Sequence, residues 1–328
     1  MHHNGNILEV THLKTQFFTR HGVVRAVEDV NFTLRSGECL CLVGESGCGK
    51  TVTALSILGL VESPPGKVMA GEVKYGALDL VTCSAGKLRK IRGKEIAMVF
   101  QDAQSALNPV FTVGDQIVEQ IKLHLGTGAK ESREKAVTLL REVGIPMAED
   151  ALHNYPHQLS GGMRQRAMIA MSLSCGPHIL IADEPTTALD VTIKAQILDL
   201  FRELRTTKQM SFMFITHDLG VVSEIGDRAV IIYGGKDVET APVSDIINDP
   251  KHPYTRGLID CLPDISRTVD RLTSIPGTTP NPVDLPPGCS FHPRCPHAME
   301  ICKQEEPGKT VISDERTVNC HLYGERRC

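Results

Sequence analysis

Gly44 to Thr51 read GESGCGKT, and these eight residues constrain the chain more than any others. They fit G-x-x-x-x-G-K-[ST], a glycine-rich turn that cradles phosphate and works only between a strand and a helix. Both flanks are present. Cys39–Val43 is a continuous apolar run, as a strand covered on both faces requires, and Thr51 onward to Leu60 reads as a helix. Backbone N–H groups of Gly47, Cys48, Gly49 and Lys50 are then expected around a β-phosphate, at the positive end of that helix. Lys50 supplies a point charge to the β- and γ-phosphates, and Thr51 offers its hydroxyl to Mg²⁺. Gly44 and Ser46 complete the candidate contacts of the loop. Glycine is about 7% of ordinary sequence, so such a match arises by chance in roughly one chain in a hundred of this length. A second motif is needed.

The second lies far along the chain. Ile179-Leu180-Ile181-Ala182-Asp183-Glu184 is an apolar strand ending in two carboxylates. Asp183 is placed to hold Mg²⁺ through water, and Glu184 to polarise an attacking water. Thr216–His217 ends another apolar run, Phe212–Thr216, which sets His217 at the same carboxyl edge as a γ-phosphate contact. Ile96–Phe100 and Ala229–Tyr233 are similar runs, the latter leading into a hairpin at Gly234–Gly235. Helical patterns separate most of these strands, which predicts an α/β architecture with a parallel sheet.

From about residue 102 to 176 the pattern is helical alone. Val113, Ile117 and Ile121 recur at a spacing of four. Ser132 is expected to cap a helix carrying Ala136, Leu139, Leu140 and Val143, closed by Gly144. This stretch reads as a helical subdomain inserted into a sheet domain spanning 1–250. Residues 251–328 form a separate region: from Pro250 onward lie eleven of the nineteen prolines, which predicts an irregular tail without long helices.

Charge and hydropathy exclude several classes. Thirty-five Lys and Arg against 39 acidic residues give a net charge of −4, the wrong sign for nucleic-acid binding. No apolar run approaches 18 residues, so no transmembrane helix is expected. The N-terminal stretch lacks a secretory leader pattern, and His2 and His3 read as incidental. A soluble, cytosolic chain is the expectation. Of the eleven cysteines, Cys39, Cys41, Cys48, Cys83, Cys175 and Cys261 read as buried space-fillers. The other five fall at Cys289 and beyond, in the order Cys289-x5-Cys295-x6-Cys302-x17-Cys320, with the last residue, Cys328, a spare. Structural disulfides are disfavoured in reducing cytosol. The close cysteine pair of a structural zinc site is missing, as are ferredoxin spacings. Spacing therefore leaves the metal undecided, with His292, His297 and His321 keeping zinc open.

Taken in order, these segments resemble the ATP-binding subunits of ABC transporters. Gly44–Thr51 matches the Walker A loop, Ile179–Glu184 the Walker B strand, and Gln101 the Q-loop glutamine. Leu159-Ser160-Gly161-Gly162-Met163 is similar to the signature, Ala188-Leu189-Asp190 to the D-loop, and His217 to the switch histidine. Phe17 falls where the family's adenine-stacking aromatic is expected, with Phe18 an alternative. Met163 departs from the usual glutamine; Gln165 is the candidate to compensate. Further stretches, Ser105–Gly114, Tyr155-Pro156-His157-Gln158 and His252-Pro253-Tyr254-Thr255, resemble the dipeptide/oligopeptide importers (the DppD/OppD type), with nickel importers close by.

That resemblance implies an ABC-type P-loop core: a RecA-like sheet, an antiparallel β subdomain, the inserted helical subdomain, and a small Cys-rich C-terminal domain. It implies ATP and Mg²⁺ as ligands, with Glu184, His217 and Gln101 catalytic and Thr51, Gln101 and Asp183 around Mg²⁺. Ser160, Gly161, Gly162 and Asp190 would face the nucleotide of a partner in a head-to-tail dimer. A heterodimer with a sister ATPase is expected, docked peripherally at the cytoplasmic face of the membrane on two permease subunits served by a solute-binding protein, with no nucleic acid. For the tail it implies a [4Fe–4S] cluster on Cys289, Cys295, Cys302 and Cys320 rather than zinc.

Overall fold

The computed structural model describes residues 5–187, 189–262 and 274–324. His2, His3, Ala188 of the D-loop and Cys328 lie outside the described residues. The chain divides into two compact units: residues 1–35, 39–82 and 215–328 form one, and residues 36–38 and 83–214 the other.

In the first unit two long strands, Asn6–Thr19 and Gly22–Arg35, pair antiparallel, and Gly66–Tyr75 adds to the outer side of the first. They form the antiparallel β subdomain that the resemblance implies, although the residues taken one by one mark neither N-terminal segment as a strand. Register shifts between Val10 and Leu13, and a left-handed His12 (φ 49°), break the alternation that marks a strand. The apolar strand Cys39–Val43 is buried at every residue and pairs in parallel with Arg228–Tyr233. That strand turns through Gly234–Gly235 into Lys236–Pro242, the expected hairpin.

The C-terminal region departs from an irregular tail in two places. A helix runs Pro253–Asp260, and a hairpin of Lys309–Ser313 with Arg316–Asn319 joins Lys236–Pro242 through Glu239↔Val318. No proline follows Pro307, which leaves this stretch free to donate ladder hydrogen bonds. The region is fastened by a buried charge cluster. Arg316, 4% exposed, donates to Glu239, 1% exposed, at 3.0 Å and to Asp249 at 3.2 Å. The Glu239 carboxylate also accepts from the backbone N–H of Lys251 at 2.9 Å and of His252 at 2.8 Å. Beside it, Tyr233, Tyr254 and Phe291 pack ring to ring, with centroids 4.6 to 5.4 Å apart.

The second unit has Ile96–Val99 parallel to Ile179–Asp183, with Ser211–Thr216 next in order, all buried. Helices Val113–Leu125, Ala129–Glu142 and Gly161–Leu173 pack on one another. Val113, Ile117 and Ile121 are buried, as their spacing predicts. Ser132 is not the cap of its helix, which starts at Ala129. Its hydroxyl instead bonds back to the Gly128 carbonyl at 2.8 Å, one turn earlier. Of the six cysteines read as buried, Cys83 and Cys261 are half-exposed.

Candidate functional site

The phosphate loop belongs to the first unit. It leaves the buried strand Cys39–Val43 and enters the helix Lys50–Ile57. Gly49 has a φ of 105°, and a Cβ there would stand 2.2 Å from the carbonyl oxygen of Ala26. Only glycine lets the loop pass that close to the neighbouring strand. No side chain caps this helix and no acidic residue sits in its first turn, so its terminal N–H groups retain their positive potential for an anion. Lys50 is 5% exposed, and its ammonium donates to the carbonyls of Gly44 at 2.8 Å and Glu45 at 3.0 Å. Burial raises the Cys48 thiol above its usual range, opposed by the charge of Lys50; its side chain packs inside the loop, 6% exposed.

Glu45 is held at all three of its polar groups. Its carbonyl accepts from Lys50, as above. Its N–H donates to the Tyr254 hydroxyl at 2.9 Å, and its carboxylate receives the Arg294 guanidinium through both oxygens at 2.7 and 3.0 Å. The sequence reading assigned no role to Glu45 or Arg294. The available signal was a basic residue immediately preceding one of the four tail cysteines. His217 is exposed one residue past the strand Ser211–Thr216. Phe17 is half-buried, paired with Val24 and Gly66 on its neighbours, whereas Phe18 is 50% exposed.

The carboxylates belong to the second unit. Asp183, 1% exposed, is the last residue of its strand. Glu184 follows with a left-handed φ of 44°, a conformation costly for a non-glycine residue and kept where a side chain must be aimed. Its carboxylate accepts from Gln101 Nε2 at 3.2 Å and from the Thr187 hydroxyl at 2.9 Å. Two of the three expected catalytic residues are thus in contact. Ser160 caps the helix Gly161–Leu173, accepting from the N–H of Met163 at 3.3 Å, and Ser160 and Gly161 are exposed. Gly162 lies against the side chain of Ile193. Asp190 caps the helix Val191–Lys208 by accepting from Ile193 at 2.9 Å. Gln165 is 5% exposed and its Nε2 has no hydrogen-bond partner. It is turned into the protein and does not stand in for the glutamine that Met163 replaces.

In the tail, Cys302 and Cys320 are buried and Cys289 and Cys295 half-buried. The N–H of Cys289 donates to the carbonyl of Cys302 at 2.8 Å. That backbone bond brings Cys289 and Cys302 together. Burial, then Cys289, Cys295 and Cys302, push Cys320 up to about 11; burial likewise raises Cys289, with Cys302 and Cys295 adding to it, and Cys295, with Cys302 adding to it. Among the described residues, however, no three His, Cys, Asp or Glu side chains converge to hold a metal ion. The zinc alternative finds no support there: His292 Nδ1 lies 3.0 Å from the Cys289 carbonyl and His321 Nε2 2.9 Å from that of Glu305.

Comparison with known proteins assigns the class. Residues 27–187 match the family model described as ABC transporter. Residues 238–302 match the model described as oligopeptide/dipeptide transporter, C-terminal region. The oligopeptide transport ATP-binding protein AppD of Bacillus subtilis is 50% identical over 97% of each chain. The dipeptide transport ATP-binding protein DppD of Escherichia coli is 45% identical over 96% of each. A solved dimeric ATP-binding cassette, MJ0796 bound to ADP and Pi in a post-hydrolysis state, is 27% identical with a TM-score of 0.64, covering 72% of this chain and 98% of that one. The chain belongs to the ABC transporter family, as an ATP-hydrolysing subunit of its oligopeptide/dipeptide branch.

Proposed function

We propose that this chain hydrolyses ATP to drive uptake of di- or oligopeptides through separate permease subunits, as the names of its AppD and DppD relatives indicate. The loop Gly44–Thr51 binds the triphosphate, with Ser46, Gly47, Cys48, Gly49 and Lys50 around the phosphates and Phe17 against the adenine. Thr51, Asp183 and Gln101 would hold Mg²⁺, which would supply neutralising charge to the phosphates. Glu184 orients and polarises the attacking water, and His217 contacts the γ-phosphate. Ser160, Gly161, Gly162 and Asp190 of each subunit complete the nucleotide site of its mate, a sister ATPase. The pair sits peripherally on two permeases at the cytoplasmic face, served by a solute-binding protein. Among the described residues no helix is long and apolar enough to cross a membrane.

The observation that carries this reading is Glu184, strained at the end of a buried strand and fixed by Gln101 and Thr187. Glu184→Gln keeps the accepting oxygen and removes only the charge. Loss of a general base costs about 10²–10⁴-fold, so turnover should collapse while ATP binding persists. Turnover within tenfold of wild type would refute the assignment.

For Cys289, Cys295, Cys302 and Cys320 we propose a [4Fe–4S] cluster. Four thiols, two of them buried and two half-buried, with Cys289 and Cys302 joined through their backbones, are the donor set that would hold such a cluster. Iron and sulfide assays on anaerobically purified protein test it; four iron and four sulfide per chain, lost in Cys295→Ser, are expected, and absence of both from the wild type refutes it.

A further inference from the structure

We infer that Arg294, from the cysteine-bearing extension, is a positioning residue for the phosphate loop and sets its affinity for ATP. The inference rests on the reading of Gly44–Thr51 as the phosphate site, and the test below separates the two.

Glu45 is the second residue of that loop and lies 249 positions from Arg294 in sequence. The guanidinium grips its carboxylate as a two-pronged fork, at 2.7 and 3.0 Å. The fork itself is rigidly seated. Arg294 is 8% exposed, donates Nε to the Pro276 carbonyl at 2.8 Å, reaches the Tyr233 hydroxyl at 3.4 Å and stands 5.8 Å from the centre of the Tyr233 ring. A planar guanidinium stacked and bonded on several sides is a fixed anchor, which lysine in its place would not be.

The anchor meets the loop at an informative point. Glu45 offers its carbonyl to Lys50, the residue proposed to meet the β- and γ-phosphates. Its N–H is held by Tyr254, which packs on Tyr233 and on Phe291. Three of these partners, Tyr254, Phe291 and Arg294, come from residues beyond 250. Without the fork, Glu45 would retain two anchors, and the backbone torsions of the loop would be less confined before phosphate arrives. Binding would then have to order what the fork now orders in advance. A coupling of this kind changes affinity by roughly 5- to 150-fold. Arg294 also sits between Cys289 and Cys295, in the turn His292–Arg294 that directly precedes Cys295, so the order of the cysteine segment and the order of the loop are joined through one side chain.

The test uses the full-length chain, a fluorescent ATP analogue with Mg²⁺, and equilibrium titration. Wild type should bind and Lys50→Ala should not; if wild type fails to bind, the phosphate-site reading falls. Given binding, Arg294→Gln is expected to weaken it about tenfold while the thermal transition stays cooperative. Glu45→Gln should weaken it comparably, and the double variant no further than either single one. Amide hydrogen exchange at Gly47 to Lys50, measured without nucleotide, should quicken in Arg294→Gln. Affinity equal to wild type in Arg294→Gln, or losses that multiply in the double variant, overturns the inference. Should Arg294→Gln fail to fold, Arg294→Lys carries the same cycle. It is expected to weaken binding in the wild-type background and to have no effect alongside Glu45→Gln; no effect in either background overturns the inference.

Discussion

Replacing Arg316 by methionine should cost the protein about 3 kcal/mol of stability. Arg316 is 4% exposed and its partner Glu239 1% exposed, so the change strands a carboxylate that water does not reach. Removing one member of such a pair costs about 3–5 kcal/mol in general. The lower end applies here for two reasons. Glu239 would keep the backbone N–H groups of Lys251 and His252, at 2.9 and 2.8 Å, and charge-assisted bonds of this kind are the strong ones. The Nε of Arg316 also has no partner, so the native cluster is itself incompletely satisfied. About 3 kcal/mol is two decades in the folding constant. The chain contains no tryptophan, so urea unfolding is best followed by far-ultraviolet circular dichroism. The midpoint should fall at an unchanged slope. Glu239→Gln combined with Arg316→Met should recover at least half of the loss, because the buried charge is then gone. A loss under about 1 kcal/mol for Arg316→Met, the range of an exposed ion pair, would refute the reasoning, and so would a double variant no better than the single.

Two further outcomes follow from particular residues. Gly49→Ala places a Cβ 2.2 Å from the Ala26 carbonyl at a φ of 105°; strain of about 1–3 kcal/mol should lower ATP affinity tenfold or more in an equilibrium titration, and unchanged affinity would show that the loop conformation is not what binds phosphate. His252 is 1% exposed, accepts the N–H of Tyr254 at Nδ1, and is held by burial down to about 3. Its folded pKa lies below the ordinary value near 6.5, so the unfolded chain protonates first and stability falls as pH drops from about 6.5 toward 3. The full slope is about 1.4 kcal/mol per pH unit. It is about half that at pH 6.5 and is reached below about pH 5.5, so between pH 6.5 and 5 wild type should lose about 1.6 kcal/mol more than His252→Asn, and parallel losses would contradict it.

What could be read from residues alone was whatever local chemistry dictates. The turn at Gly44–Thr51 needs its glycines wherever the rest of the chain goes, and runs such as Cys39–Val43 and Ile179–Asp183 are apolar throughout because both faces are covered. Ser160 and Asp190, which only the family resemblance singles out, each cap the helix that begins one residue later. Ser132 shows the limit of that logic. A serine that suits a cap equally suits a bond back to the carbonyl four residues earlier, and here it takes the second. The strands Asn6–Thr19 and Gly22–Arg35 were hidden by bulges that interrupt a period of two. The contact between Gln101 and Glu184 spans 83 residues and that between Glu45 and Arg294 spans 249. Such pairings carry no local signature, since only the fold decides which distant charges meet.

The same distinction bears on what the C-terminal region is for. Proline content and cysteine spacing portray it as an appendage, a segment too poor in apolar residues to hold a core and therefore in need of a staple. Its contacts place it inside the first unit's cooperative structure. Arg316–Asn319 forms a ladder with Lys236–Pro242, a strand that also pairs with Arg228–Tyr233 and so, one strand further, with Cys39–Val43, from whose end the phosphate loop departs. Phe291 fills the aromatic cluster over Tyr233 and Tyr254, and Arg294 closes on Glu45. A segment that lends a strand, a ring and a charge to the nucleotide-binding unit cannot loosen without that unit losing the same contacts. Whatever stabilises Cys289, Cys295, Cys302 and Cys320 therefore acts on the loop as well as on the tail, and a change in the cysteines should register first as a change in how the protein holds ATP.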